Sequence, residues 1–342
     1  MSKPVVLVVG GAGYIGAHTC KALSHAGYVP IVLDNLSTGH KSFVKWGPLI
    51  HADIRDAASC AAAIKEHAVS AVLHFAGSAY VGESVSDPAK YYDNNVLGSL
   101  SLLRAMREAD CSRICFSSTC AVYGEPDSMP IREDTPQLPV NPYGASKLMV
   151  ERILMDFAKA YDLKAIALRY FNAAGADPDL ELGELRDPET HIIPRAMMAL
   201  QGHLDDFSVF GEDFPTPDGT AIRDYIHVSD LAAAHVTAIG RLLGGGQGGV
   251  FNLGTGRGYS VKEVLDTIER ATRQKLPKVD GRRRPGDPAA LFSDPTLARQ
   301  ELGFAPKYSD LSFIIETAWA WHQRAHPKKN STIDRNEMLL AG

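Results

Sequence analysis

This sequence is poor in cysteine. It has five in 342 residues, Cys20, Cys60, Cys111, Cys115 and Cys120, and none stands in a C-x-x-C pair or at zinc-ligand spacing. Thiols scattered in this way argue against a disulfide framework, offer no metal set, and suit a reducing compartment. Long hydrophobic runs are also missing: none approaches the ~20 residues that a membrane helix needs. Met1 to Pro4 leads straight into an apolar strand, without the charged start and long apolar centre of a signal peptide, so a cytoplasmic protein with no membrane partner is expected. Charge of one sign is scarce too, with a net value of −5. A surface that tracks nucleic acid needs clustered excess Lys and Arg, so no nucleic-acid partner is expected. The one basic run, Arg282-Arg283-Arg284, is short and ends in Pro-Gly, as solvated loops do. No internal repeat is visible.

What is present is apolar and ordered. The chain is 45% hydrophobic, enough for a sizeable core. Val5–Val9, Val29–Leu33, Ala71–Phe75, Ile114–Ser117 and Ala165–Arg169 read as short strands, and helical patterns such as Ile15–His25 and Leu97–Ala109 lie between them. Near-continuous apolar strands alternating with helices predict an α/β fold with a doubly wound parallel sheet covered on both faces. After about Asn172 the texture changes to loops rich in Gly, Asp, Glu and Pro, at 175–190 and 210–220. The expected organisation is a dinucleotide-binding domain over 1–175 and a smaller α/β lobe over 176–328, some of it returning to the first domain. A polar tail over 329–342 follows. A last helix near Leu311–His322 has Leu311, Ile314, Ile315, Ala318 and Trp319 at core-facing spacing, so Trp319 and Trp321 read as packing.

Residues 5–16 read VVLVVGGAGYIG, a strand running through Gly10, Gly13 and Gly16 into a helix. Glycines there permit a tight turn and let the backbone approach a pyrophosphate, which the helix N-terminus then faces. The second strand ends in Asp34, 34 − 16 = 18 residues past the last glycine. A carboxylate at that place accepts from both ribose hydroxyls and repels a 2′-phosphate, which favours NAD over NADP. The plainer reading of Asp34 is a turn residue.

Residues 141–147 read NPYGASK, with Tyr143 and Lys147 four apart behind a helix-starting Pro142. That spacing puts both side chains on one helix face. A phenol is a weak base at neutral pH; a neighbouring ammonium and a cationic nicotinamide ring both favour its phenolate, which makes Tyr143 a candidate general base for an alcohol proton. Residues 115–124, CFSSTCAVYG, end another predicted strand, and carboxyl ends of parallel strands border the ligand crevice. Thr119 there is placed to hold the oxygen that Tyr143 deprotonates; the plainer reading of Ser117, Ser118 and Thr119 is strand-end hydrogen bonding.

In order along the chain come the glycine turn, FAG (75–77), GES (82–84), YYDNNV (91–96), SST with VYG, Tyr143 with Lys147, RYFN (169–172) and RDYIHV (223–228). Over about residues 4–325 the chain resembles the extended short-chain dehydrogenases/reductases, and among them the UDP-glucose 4-epimerases. The resemblance implies a Rossmann-type domain with bound NAD, a UDP-sugar substrate and a homodimer, with helices such as Leu97–Ala109 and Leu148–Lys159 at the interface. It implies that Tyr143 removes the proton of the sugar 4-hydroxyl while hydride leaves C4. The 4-keto sugar then turns, and hydride and proton return to the other face. Lys147 lowers the Tyr143 pKa and binds the nicotinamide ribose, and Thr119 orients the hydroxyl. By the same match Tyr14, Ile15, Asp34, Asn35, Asp53, Ile54, Phe75, Ala76, Gly77, Asn94 and Phe171 touch the cofactor. Asn172, Arg223 and Arg284 grip the substrate diphosphate, and His191 falls at a substrate contact, although a lone histidine beside Ile192 and Ile193 equally suits a structural role.

Three positions depart from the common family pattern. Thr119 stands where serine is usual, and its methyl restricts the rotamer. Ala79 stands where many members carry a lysine near the cofactor phosphates. Leu291 stands in the sugar pocket where a larger aromatic is common, leaving room for a 2-acetamido group. Other chemistries compete. A 4,6-dehydratase needs an Asp-Glu pair directly after the threonine, and this chain has Cys120 and Ala121. A UDP-pentose 4-epimerase fits the same residues. A dehydrogenase releasing NADH differs by exchanging its cofactor, and a silent NAD-binding regulator by losing Tyr143 or Lys147.

Overall fold

The computed structural model describes residues 3–204, 207–283 and 287–326, so Arg284 and the expected tail at 329–342 lie outside the described residues. In chain order the strands are β1 (Val5–Val9), β2 (Val29–Asp34), β3 (Leu49–His51), β4 (Ala71–His74), β5 (Arg113–Thr119), β6 (Lys164–Tyr170), β7 (Asn172–Ala174), β8 (Phe207–Phe210), β9 (Ile222–Arg223), β10 (Tyr225–His227), β11 (Gly249–Leu253), β12 (Tyr259–Ser260), β13 (Lys278–Gly281) and β14 (Ala290–Leu291). Seven of them form one parallel sheet in the order β11-β6-β5-β4-β1-β2-β3. The doubly wound expectation is met.

Side chains of a strand alternate between faces, and β1 divides accordingly. Val6 and Val8 join one buried layer with Leu23 of helix Tyr14–His25 and Leu231, Ile239 and Leu242 of helix Val228–Leu243. Leu7 and Val9 join the opposite layer with Ile64, Leu102, Met106, Val150 and Leu154, from helices Ala57–Glu66, Gly98–Glu108 and Pro142–Tyr161. A third buried cluster, around Ile193, Met197, Phe207, Val264, Ile268, Ile314 and Ile315, forms the core of the C-terminal part. It carries the small pairings β7 with β10, β8 with β13, and β9 with β12 and β14. Trp321 is buried, as a packing residue should be.

Two strands of the main sheet escape the sequence reading. β3 is only three residues long. β11 lies some eighty residues after β6 yet pairs with it from Gly249 to Leu253. β5 also runs further than expected, because it pairs with β6 through Thr119 opposite Tyr170. Helix Gly98–Glu108 is preceded at Tyr92–Leu97 by a widened, π-type turn. Such turns cluster at functional sites because the extra residue re-aims side chains; here it carries Asn94 and Asn95.

Candidate active site

β1 has β2 on one side and β4 on the other, and their connections leave in opposite directions. That reversal opens a crevice at the carboxyl ends of β1 and β4. The three glycines at its floor have different causes. Gly10 has φ +81°, and a Cβ there would stand 2.5 Å from the Ala76 nitrogen. A Cβ on Gly16 would stand 2.2 Å from the Gly10 oxygen, whereas one on Gly13 meets nothing nearer than that same oxygen at 3.4 Å. The protein's own packing therefore requires Gly10 and Gly16 but not Gly13. Helix Tyr14–His25 begins at Gly13 with no capping side chain and no acid in its first turn. Uncapped N–H groups and an open approach fit a diphosphate.

Asp34 is buried at the end of β2, accepting from Ala12 N (3.0 Å) on Oδ2 and from Leu36 N (2.8 Å) on Oδ1. It is thus a turn residue as well as a ribose candidate, since each carboxylate oxygen keeps further acceptor capacity. Asn35 donates to Asp53 Oδ2 (3.0 Å), and Asp53 is held well below the usual carboxylate range, above all by its hydrogen bonds from Arg55. Ile54 is buried beneath them. After β4, the Phe75 and Ala76 N–H groups donate to Val9 O, which brings this segment over the glycine turn. A Cβ on Gly77 would stand 3.1 Å from Asn95 Oδ1 and 3.5 Å from Lys147 Nζ. The residues expected on the cofactor side and those expected to be catalytic therefore meet there. Asn94 donates to Ser78 Oγ (3.1 Å), while the buried Asn95 accepts from Ser78 N (2.8 Å) and donates to Ser146 Oγ (2.9 Å). A dinucleotide fits these residues: uncapped helix, open Gly13, braced Asp34 and buried ammonium all face one crevice.

Helix Pro142–Tyr161 starts as its sequence dictates, with Asn141 Oδ1 accepting from Gly144 N (2.9 Å) and Pro142 in the first turn. Tyr143, Lys147 and Glu151 follow on one face. Tyr143 is hydrogen-bonded to the Thr119 hydroxyl; burial pushes its phenol up to about 12, and that bond opposes the rise. Its ring meets the edge of Tyr91 at 6.4 Å and 81°. Tyr91, fully buried, donates to Tyr80 O (2.5 Å) and bonds Glu83 Oε2 (2.9 Å), whose other oxygen takes Lys90 (2.6 Å). The GES and YYDNNV segments thus brace the ring of Tyr143.

Lys147 Nζ donates to Ser117 O (2.9 Å) and lies 4.9 Å from the Phe116 ring centroid. Burial lowers its pKa to about 8, against the opposing charge of Glu151. At Tyr143 the influences that oppose the rise are the Thr119 hydrogen bond and, less strongly, the charge of Arg186. Glu151 pairs with Arg169 (Nη2 to Oε2 2.6 Å, Nε to Oε1 3.0 Å) and accepts from Ser118 Oγ. Arg169 in turn donates to Tyr123 Oη (2.8 Å), which donates to Asn252 Oδ1 of β11 (2.7 Å). This buried network fixes the end of β5, where Ser117, Ser118 and Thr119 stand.

On the substrate side, Phe171 is buried against Val122, Tyr123 and Ile131, with Leu291 packed beside them. Asn172 N donates to Asp224 O (2.9 Å). Leu291 on β14 is the register partner of Arg223 on β9, so those two residues are neighbours. Arg223 pairs with Asp287 through Nη2. His191 Nδ1 lies 2.6 Å from Glu184 Oε1. Arg284 falls outside the described residues. Sequence reasoning missed Tyr91, Asn95, Glu151, Arg169, Glu184 and Arg186. Tyr91, Asn95 and Arg169 lay within the quoted YYDNNV and RYFN segments without being given a role, and Glu151 was readable as the residue one helical turn beyond Lys147.

The NAD dependent epimerase/dehydratase family pattern matches residues 6–254. A UDP-glucose 4-epimerase of Rhizobium meliloti is 51% identical over 324 residues, covering 95% of this chain and 98% of that protein. The structure of UDP-glucose 4-epimerase from Brucella ovis in complex with NAD is 56% identical, with a TM-score of 0.91 over 93% of this chain and 98% of that one. The enzyme from Stenotrophomonas maltophila, with bound NAD and formylated UDP-arabinopyranose, is 41% identical with a TM-score of 0.91 over 94% and 98%. With these likenesses spanning nearly all of its length, the chain belongs to the NAD dependent epimerase/dehydratase family, and within it to the UDP-glucose 4-epimerases.

Proposed function

We propose that this protein interconverts UDP-glucose and UDP-galactose with retained NAD, using Tyr143 as the acid and base. The carrying observation is the meeting of Thr119, Tyr143 and Lys147 at the end of β5 beside the glycine turn, in a chain of this family. Bound NAD supplies the hydride acceptor for the sugar C4 and the donor that returns it. Tyr143 Oη takes the 4-hydroxyl proton as C4 is oxidised and gives it back after the 4-keto sugar has turned. Thr119 Oγ1 orients that hydroxyl. Tyr143 is a poor base at a pKa of about 12. The cationic ring that NAD brings, added to the Lys147 ammonium one helical turn away, favours the phenolate. Lys147 also takes the nicotinamide ribose. Gly10, Gly13, Tyr14, Ile15, Gly16, Asp34, Asn35, Asp53, Ile54, Phe75, Ala76, Gly77, Asn94 and Phe171 form the cofactor side, while Asn172, together with His191, Arg223 and Arg284 of the lobe spanning 176–328, holds the nucleotide diphosphate and sugar.

Leu291 supports a second substrate class. It stands next to Arg223 with no aromatic bulk, so a 2-acetamido group on the sugar has room. A UDP-pentose also fits, as the arabinopyranose derivative held by the Stenotrophomonas relative illustrates. The protein is proposed to work as a homodimer through helices Gly98–Glu108 and Pro142–Tyr161, where Met149 and Met155 are exposed. A cytoplasmic location accords with the absence, among the described residues, of any helix long and apolar enough to cross a membrane.

The test is to incubate purified protein with UDP-galactose, add no NAD, and follow UDP-glucose. Conversion that Tyr143→Phe lowers by about 10²-fold or more, with NAD still bound, is the expected result. No conversion with NAD supplied overturns the glucose/galactose assignment and moves the assay to acetamido sugars and pentoses.

A further inference from the structure

Position 79, where the family resemblance leads one to expect a lysine near the cofactor phosphates, is an exposed alanine. The fold brings a different cation to its side. The loop following Gly183 places Arg186 against Tyr80, with Cζ 5.8 Å from the ring centroid, and Tyr80 Oη donates to Pro188 O of the same loop (3.2 Å). Arg186 Nε lies 2.9 Å from Glu184 Oε1. Glu184 is itself fixed, its backbone oxygen accepting from Trp321 Nε1 (3.0 Å) and its carboxylate meeting His191 Nδ1 (2.6 Å). Glu189 turns Oε1 inward to the N–H groups of Thr190 (2.8 Å) and His191 (2.9 Å). Glu184, Glu189 and His191 have donor atoms within 4.8 Å of one another, the spacing of a metal set, but Arg186 already pairs with Glu184 there. Glu184 thus pairs with a guanidinium whose side chain is only 21% exposed and whose buried Nε, though close to that carboxylate, makes no hydrogen bond.

Arg186 packs on the segment that crosses the glycine turn: the Phe75 and Ala76 N–H groups bond Val9 O, and Tyr80, four residues beyond Ala76, lies against the guanidinium. Burial raises the phenols of Tyr14, Tyr143 and Tyr170, and the Arg186 charge opposes that rise at all three. Those tyrosines stand at the start of the helix after the glycine turn, at the start of helix Pro142–Tyr161, and at the end of β6. The Arg186 charge thus acts on tyrosines of both the helix after the glycine turn and helix Pro142–Tyr161, the two elements that border the crevice. A guanidinium fork matches phosphate oxygens better than any other side chain.

We propose that Arg186 is an anion-binding residue of the cofactor crevice, directed at the diphosphate of the bound dinucleotide and replacing the cation that position 79 lacks. This rests on the reading above that the crevice retains NAD. It is tested by measuring NAD released on acid denaturation of protein purified without added NAD, and the exchange rate of bound NAD against labelled NAD. Arg186→Ala is expected to exchange about 10–100-fold faster than wild type, the loss of one charged hydrogen-bonding partner. Arg186→Lys restores part of the retention, and Ala79→Lys in the Arg186→Ala background restores most of it. Unchanged exchange in Arg186→Ala overturns the proposal, as does an effect confined to the KM for UDP-sugar. A loss that neither lysine reverses is a structural effect of the loop and overturns it too. Wild-type protein that carries no NAD fails the earlier reading instead; the variants are then compared by NAD titration, where an equal Kd in wild type and Arg186→Ala sinks this one.

Discussion

Glu151→Gln separates the roles gathered on helix Pro142–Tyr161. Glu151 and Arg169 are 2% and 5% exposed, and their bidentate contact spans 2.6 to 3.2 Å. Glutamine keeps the shape and much of the hydrogen bonding but removes the charge, so the guanidinium stays buried without its counter-charge. Breaking a buried pair in this way costs about 3–5 kcal/mol. Urea unfolding of the variant should show that loss as a lower midpoint with an unchanged slope. A second effect is electrostatic. Burial drives the Lys147 pKa down to about 8, and Glu151 is the charge that opposes it. Without Glu151 the ammonium loses its proton at lower pH, so the alkaline limb of any rate that needs charged Lys147 moves to lower pH. The assay is the pH profile of kcat for UDP-galactose conversion in wild type, Glu151→Gln and Glu151→Asp, with Asp moving the limb back toward wild type. A stability loss under about 1 kcal/mol together with an unmoved limb would refute the reasoning, because the carboxylate would then matter to neither partner.

Further expectations follow from individual contacts. Gly10→Ala drives a Cβ to 2.5 Å from the Ala76 nitrogen at φ +81° and should cost on the order of 3 kcal/mol in cofactor-free protein. Gly13→Ala meets nothing closer than 3.4 Å; its unfolding free energy should stay within about 0.5 kcal/mol of wild type while bound NAD falls, and calorimetry beside NAD quantitation reads both. Lys147 binds its proton less tightly folded (about 8) than at its ordinary value of 10.5. The penalty is complete below pH 8 and is relieved as pH rises from there toward 10.5, a gain of about 3 kcal/mol. Urea unfolding of cofactor-free protein at pH 7 and 10 should therefore favour Lys147→Met over wild type more strongly at the lower pH, and an equal difference at both argues against a buried ammonium. Leu291→Tyr should cut kcat/KM for UDP-N-acetylglucosamine by about tenfold or more and leave UDP-glucose little changed; an unaltered ratio removes position 291 from the sugar pocket.

The glycine turn and helix Pro142–Tyr161 were readable because their geometry is local. A strand, a turn and a helix in succession place Gly10, Gly13 and Gly16 without reference to the rest of the chain. The i, i+4 relation of Tyr143 and Lys147 holds wherever that helix lies. The same logic reaches Glu151, one further turn along. Asp34 was legible as a strand end, but its double use as a turn acceptor and a crevice residue shows only in its bonds to Ala12 and Leu36.

By itself the sequence determined the alternating strands and helices, the glycine floor, the face shared by Tyr143 and Lys147, and the family. All of these follow from backbone periodicity or from motifs in order. Only the tertiary structure decided which residues meet across long separations. It set β11 beside β6, Glu151 against Arg169 and Ser118, Tyr91 edge-on to Tyr143, and Arg186 over Tyr80 next to an alanine. It also separated two glycines required by the protein's own backbone from one that is not. The physical reason is that a buried charge or hydroxyl takes whichever partner packing brings within about 3 Å, and spacing along the chain carries no record of that partner.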